Sequence, residues 1–242
     1  MLSKTAIQFI KSLQDKKQRQ KYDQFVVEGE KSIAELLKSS YKIVKLVAVN
    51  SWIVENQLFI KGLECTEVSE DELKKISFHQ APQRVLAVVK IPQFDKHLSS
   101  DVYTLALDEI QDPGNLGTII RIADWYGIKK LICSKGCTDV YNPKCISATM
   151  GSFLRVEVVY ADIIEMANQY QLPLIVTSFD GENVHNFQTQ QKGMIVIGNE
   201  GHGVSKEIMQ SATYKLTIPK IGGAESLNAA VSTAIVLDNL VR

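Results

Sequence analysis

The residues able to do chemistry concentrate in three polar stretches, each lying where an apolar run gives way to a loop. The first is Asp108-Glu-Ile-Gln-Asp-Pro-Gly-Asn115, with Arg121 following six residues later. Asp112-Pro-Gly114 is turn chemistry, Asn115 suits the cap of a following helix, and Arg121 falls within two turns of that helix's start. The second is Gly198-Asn-Glu-Gly-His-Gly203, whose glycines let the backbone take positive φ and come close to a ligand. Glu200 sits between them, an odd place for a carboxylate that only solvates a surface. His202 fits a base as well as it fits an idle, exposed loop histidine. The third is Ile218-Pro-Lys-Ile-Gly-Gly-Ala-Glu-Ser-Leu-Asn228, where Ser226 reads as the cap of the last helix. Taken singly, each stretch is also compatible with a plain strand-loop-helix turn, with Arg121 on the surface.

The surrounding pattern indicates what must position them. From Tyr103 onward, short apolar runs recur at Tyr103–Leu107, Lys130–Cys133, Val156–Val159, Leu174–Thr177, Met194–Ile197 and Lys215–Ile218. Segments of helical period separate most of them, among them 116–126, 163–170 and a last helix carrying Leu227, Ala230, Val231, Ala234, Ile235 and Val241. Such alternation predicts an α/β fold with a mainly parallel sheet covered on both faces, and ligands gather at the carboxyl ends of such strands. The first ninety or so residues read as a separate small α/β unit, with helices over 4–15 and 30–37 and strands over 43–49 and 85–89. The polar, proline-interrupted stretch after it suits a linker. The expected division is 1–92, a linker over 93–100, and 101–242.

Bulk properties narrow the classes. A chain of 242 residues, 45% apolar and 22% charged, with zero formal net charge, describes an ordinary globular protein with a real core. No apolar run approaches the roughly 18 residues of a membrane span, and the start does not read as a signal peptide, so a cytoplasmic protein is expected. Cys65, Cys133, Cys137 and Cys145 form no Cys-x-x-Cys pair and have no histidines at zinc-ligand spacing, so they read as structural and no metal is expected. Lys16, Lys17, Arg19 and Lys21 cluster near the N-terminus, a patch that could neutralise phosphates and also fits a solvated helix face. The glycine loop at 198 reverses the order of the dinucleotide fingerprint and lacks its acidic partner, and no Walker loop is present.

Together the three stretches resemble the three motifs of the SpoU (TrmH) family of RNA ribose 2′-O-methyltransferases, within the SPOUT superfamily. Asn115-Leu-Gly-Thr-Ile-Ile-Arg121 resembles the first, Gly198-Asn-Glu-Gly-His-Gly-Val-Ser205 the second, and Ile218-Pro with Ser226-Leu-Asn228 the third. The residues before the linker, including Phe25-Val-Val-Glu-Gly29, resemble the substrate-binding domain that often precedes this catalytic domain, related to ribosomal RNA-binding proteins. The resemblance implies a parallel-sheet domain with a deep C-terminal trefoil knot, S-adenosylmethionine bound in it, and a homodimer whose active site is completed across the interface. It implies that groups around Thr177, Gly198, Ile218, Leu227 and Asn228 hold the cofactor. Ser226 and Asn228 would fix cofactor and ribose, Asn115 and Glu200 would order the site, and Arg121 would activate the 2′-hydroxyl. Because a guanidinium ordinarily holds its proton, Arg121 is open to two roles, base or charged clamp. The implied substrate is structured RNA, ribosomal ahead of transfer RNA. The competing class is an RNA-binding protein that keeps the fold without methylating.

Overall fold

The computed structural model describes residues 2–241. They group into two units, one taking the chain through Gln93 together with Tyr141–Leu154, the other taking Phe94–Val140 and the chain from Arg155 onward.

In the first unit, strands β1 (Gln24–Glu28), β2 (Ile43–Ala48), β3 (Cys65–Glu67) and β4 (Val85–Lys90) form a sheet of order β1-β4-β2-β3. Strand β4 runs antiparallel to β1 and β2, and its residues Val85–Val89 are all buried, as an interior strand requires. Helices α1 (Lys4–Ser12), α2 (Lys16–Tyr22), α3 (Glu30–Leu36), α4 (Asn50–Asn56) and α5 (Glu70–Ile76) accompany it. The helix expected over 4–15 ends at Ser12, because Asp15 caps a second helix by accepting from Lys17 N at 2.8 Å.

The second unit contributes β5 (Thr104–Leu107), α6 (Pro113–Trp125) and β6 (Lys130–Cys133) before the chain makes α7 (Pro143–Thr149) in the first unit. It resumes with β7 (Glu157–Tyr160), α8 (Ile163–Gln169), β8 (Leu174–Asn183), β9 (Met194–Ile197), α9 (Lys206–Gln210), β10 (Tyr214–Thr217) and α10 (Ala229–Leu240). Its six strands lie in the order β10-β8-β9-β5-β6-β7, and every pairing is parallel. The innermost strands β9 and β5 are buried along their whole length, which is why they read as unbroken apolar runs. Helices α6 and α10 pack on one another, joined at one end by Tyr126 OH donating to Asp238 Oδ1 at 3.0 Å. Strand β10 joins β8 through a register break between Lys215 and Leu216. Gly181 permits that approach, since a Cβ there would lie 2.5 Å from Leu216 N.

Two sequence boundaries come out differently. Leu98 is buried in the second unit's core and Phe94 packs against it. Lys130 Nζ donates to Asp95 Oδ1 at 2.8 Å and to the Asp95 and His97 carbonyls at 3.0 and 3.1 Å. The stretch expected as a free linker is thus fastened from Phe94 on. The expected second domain, 101–242, is also interrupted. Tyr141–Leu154 leaves it, laying α7 on β1 and placing Tyr141 and Phe153 with ring centroids 4.5 and 6.0 Å from that of Phe25. Tyr41 OH donates to the Phe153 carbonyl at 2.9 Å, and Gly151, at φ +94, leaves room for the Glu35 carboxylate.

Candidate active site

The order of the second sheet locates a crevice. From β5 the chain builds β6 and β7 toward one edge, then crosses to form β8, β9 and β10 on the other side. The strand order therefore reverses between β5 and β9, and the loops leaving those two strands carry residues 108–112 and 198–205. Ligands of open α/β sheets bind at such a switch point.

The side chains expected to order the site meet here. Asn228 Nδ2 donates to Asn115 Oδ1 at 2.9 Å, and Asn115 Nδ2 donates to Glu200 Oε1. Asn228 Oδ1 in turn accepts from Ala230 N at 2.9 Å, so the chain of bonds starts on the backbone of α10. It crosses α6 and ends in the glycine loop, linking all three polar stretches. Each amide has its oxygen and nitrogen ends assigned by its partners.

Two caps shift relative to the sequence expectation. Helix α6 is capped by Asp112, whose Oδ1 accepts from Asn115 N at 2.8 Å, and Pro113 occupies the first turn. This puts Asn115 inside the helix and frees its side chain for Glu200 and Asn228. Helix α10 is capped by Asn228, not by Ser226, which is exposed in the preceding loop.

The glycine loop is anchored at several points that the sequence did not single out. Asp108, 3% exposed, accepts from Ser205 N at 2.9 Å, and Asn199 and Gly203 exchange two backbone bonds of 3.0 Å. Gly198 has no room for a Cβ, because the backbone of Gly203 and Val204 lies against it. His202 is paired with Glu109, Nε2 to Oε2 at 3.3 Å, and so is not idle, though its side chain is 56% exposed. A carboxylate at the very end of a buried strand, as Asp108 is, was the available sequence signal; the Glu109 backbone conformation left none.

Thr177, Gly198 and Ile218 lie along or just past the carboxyl ends of β8, β9 and β10, which are neighbours in the sheet, and Leu227 lies in the loop before α10. The Thr177 hydroxyl donates to the Val196 carbonyl at 3.1 Å. A Cβ on Gly203, Gly222 or Gly223 would meet nothing within 4 Å, and Leu227 is 44% exposed in the loop before α10. Main-chain donors and acceptors with apolar walls suit an adenosine, whose ring and ribose carry no charge. Among the described residues no group of three His, Cys, Asp or Glu could hold a metal ion.

Other expected site residues stand apart. Arg121 is exposed on α6 and lies six residues past Asn115, roughly 240° around the helix from it. It shares a face with Trp125, which is 85% exposed. In the first unit, Lys16, Lys17 and Lys21 are exposed on α2, but Arg19 is 2% exposed. Its Nη1 donates to the carbonyls of Leu13 at 2.8 Å and Gln14 at 2.7 Å, which closes the end of α1, so Arg19 has no free guanidinium for a phosphate.

Residues 103–238 match the model of the SpoU rRNA Methylase family. The chain belongs to that family. Residues 4–87 match the MRM3-like substrate binding domain. Among curated relatives, the 23S rRNA (guanosine(2553)-2′-O)-methyltransferase RlmP of Bacillus subtilis is 30% identical over 234 residues, covering 95% of this chain and 93% of that protein. A TrmH-family RNA methyltransferase structure from Porphyromonas gingivalis superposes with a TM-score of 0.86 at 32% identity, covering 99% of this chain and 98% of that one. The SpoU methyltransferase AviRb of Streptomyces viridochromogenes, solved with its cofactor AdoMet, superposes with a TM-score of 0.89 at 26% identity, covering 99% of this chain and 97% of that one. The SpoU match contains every residue of the hydrogen-bonded chain Asn228–Asn115–Glu200.

Proposed function

We propose that this protein is an S-adenosylmethionine-dependent RNA methyltransferase acting on a ribose 2′-hydroxyl of ribosomal RNA. The observation that carries the reading is the hydrogen-bonded chain that joins three separate loops at the switch point of a SpoU-family sheet. S-adenosylmethionine supplies an electrophilic methyl on a sulfonium, a leaving group that needs no activation. The protein's part is alignment and charge. Main-chain groups near Thr177, Gly198, Ile218 and Leu227 hold the nucleoside portion, and Asn228 fixes the near wall. Asn115 and Glu200 order the side of the site facing the ribose, with Ser226 in reach from its loop. Arg121 acts as a charged clamp that offsets negative charge on the oxygen as the 2′-hydroxyl gives its proton to solvent water.

Because Arg121 projects from the far side of α6, we infer that it serves the site of a partner protomer in a homodimer. Supporting this, Trp125 lies one turn along the same face and Val231, on the packed neighbour α10, is 47% exposed, an apolar surface suited to a second copy. We also propose that the C-terminal chain forms a trefoil knot. In support, the chain returns after edge strand β10 to lay α10 on α6 and β9. Exposed Lys16, Lys17 and Lys21 would meet RNA phosphates. No described helix is long and apolar enough to cross a membrane. None of the four cysteines forms a disulfide among the described residues.

The deciding experiment uses ribosomal RNA from cells lacking this protein, with radiolabelled methyl donor. Methylation at a 2′-oxygen blocks alkaline cleavage, so the product is mapped as a protected position. We expect one protected position in large-subunit RNA. RNA that binds the protein but gains no alkali-resistant site would leave only the non-catalytic binding class. Replacing Arg121 sorts its role. Arg121→Lys is expected to keep at least about a tenth of wild-type turnover and Arg121→Ala to lose about 100-fold, as for a charged donor. A lysine variant as poor as the alanine variant would favour a base, and a fully active Arg121→Ala enzyme would remove Arg121 from the mechanism.

A further inference from the structure

Glu109 has no part in that chemistry, yet the chain holds it at φ +56, in the left-handed region that residues with a Cβ avoid. The other described non-glycine residues at positive φ are Asp23, Met150 and Gln171. Asp23 and Met150 are C-caps of α2 and α7, and Gln171 follows the C-cap of α8, where left-handed residues are routine. Glu109 follows a strand and ends no helix, so its conformation needs another cause.

Its contacts supply one. Glu109 N donates to Ser134 Oγ at 2.9 Å, which holds the left-handed residue in place. Its carbonyl accepts from Asn199 Nδ2 at 2.8 Å, and its Oε2 lies 3.3 Å from His202 Nε2. The side chain passes over Gly136, where a Cβ would lie 2.8 Å from Glu109 Cγ. Asn199 and His202 flank Glu200 within one turn, closed by the paired backbone bonds between Asn199 and Gly203. One residue thus grips that turn on both sides of Glu200, using its backbone on one side and its carboxylate on the other. Both contacts are made with Glu109 at φ +56.

We propose that Glu109 is a positioning residue. With His202 as its counterpart, it braces the Asn199–Gly203 turn and so sets Glu200 against Asn115. The proposal rests on the methyltransferase reading for what Glu200 does. Without the brace, the turn is free to pivot at Gly201 and Gly203, and Glu200 loses its register with Asn115.

The test separates strain from function. Glu109→Gly suits the left-handed φ better than glutamate does and keeps the carbonyl for Asn199, but removes the carboxylate. A carboxylate with no role predicts a protein at least as good in every respect, and one that serves stability alone predicts a lower melting temperature with kcat unchanged. The brace predicts a melting temperature equal to or above wild type with a kcat lower by about 10- to 100-fold on the same ribosomal RNA. It also predicts faster hydrogen exchange at the amides of residues 200–203. His202→Ala, on an exposed turn, should show a similar fall, and the double variant should fall no further than either alone. Wild-type kcat in Glu109→Gly overturns the proposal, as do losses that multiply in the double variant. If the wild-type chain transfers no methyl group, the methyltransferase reading fails, and the exchange measurement alone decides the brace.

Discussion

Asn115 shows how much one amide decides. It donates to Glu200 and accepts from Asn228, so it needs one end of each kind. Asn115→Asp preserves the shape but replaces the donor with an acceptor and sets two carboxylates at hydrogen-bond distance. We expect turnover to fall about 100-fold at neutral pH. Near wild-type turnover would mean that the contact with Glu200 does not matter. Arg19 teaches the opposite lesson. In sequence it is one of four clustered cations, but two residues along a helix from Lys17 turn it roughly 200° away, onto the carbonyls that end α1. Arg19→Ala should destabilise the protein by about 2 kcal/mol in denaturant unfolding, as for a bond to a charged group. Lys17→Ala should leave stability unchanged and weaken RNA binding, with a shallower salt dependence. Equal stability of the two variants would contradict this division. Residue type was legible from the sequence; the direction in which Arg19 points was not, because no apolar periodicity marks a seven-residue helix of mostly polar residues.

At the scale of elements, legibility followed burial. Lys130–Cys133 and Met194–Ile197 were read to the residue, because strands covered on both faces are apolar throughout. Helix starts were read less well. Asp112, Asn115, Ser226 and Asn228 are all good caps by type, and the choice falls to whichever oxygen reaches an unpaired N–H of the first turn. The two errors act in opposite ways: the first hid that Asn115 is free to act elsewhere, the second that Asn228 is a cap as well as a donor to Asn115. The excursion Tyr141–Leu154 was missed for a different reason. Its short helix and apolar rings look like any βα connection, and the burial of Phe153 at 2% beside Phe25, with Tyr141 on the same ring, reveals its allegiance. Phe153→Ala should therefore lower the stability of the first unit by about 3 kcal/mol or more, as for other large-to-small core changes. Hydrogen exchange along β1 and β4 reports it. Unchanged protection there would place Phe153 outside that core.

For the molecule as a whole, the same excursion changes what counts as a domain. The chain passes from one unit to the other after Gln93, after Val140 and after Leu154, so the first unit is not a contiguous piece of sequence. A fragment of residues 1–92 would contain every strand of its sheet but lack Tyr141, Ile146 and Phe153. Burying a large apolar side chain contributes about 2 kcal/mol, and small domains are stable by only about 5–15 kcal/mol. Removing three such groups also leaves Phe25 facing water, so the loss takes up much of that margin. We expect the 1–92 fragment to unfold without a clear cooperative transition. Appending residues 141–154 through a flexible glycine-serine linker should restore one, because the added segment refills its own place on β1. The comparison is a pair of thermal melts followed by circular dichroism. If 1–92 alone melts cooperatively within a few degrees of the extended fragment, the excursion is an accessory to the first unit and not part of its core.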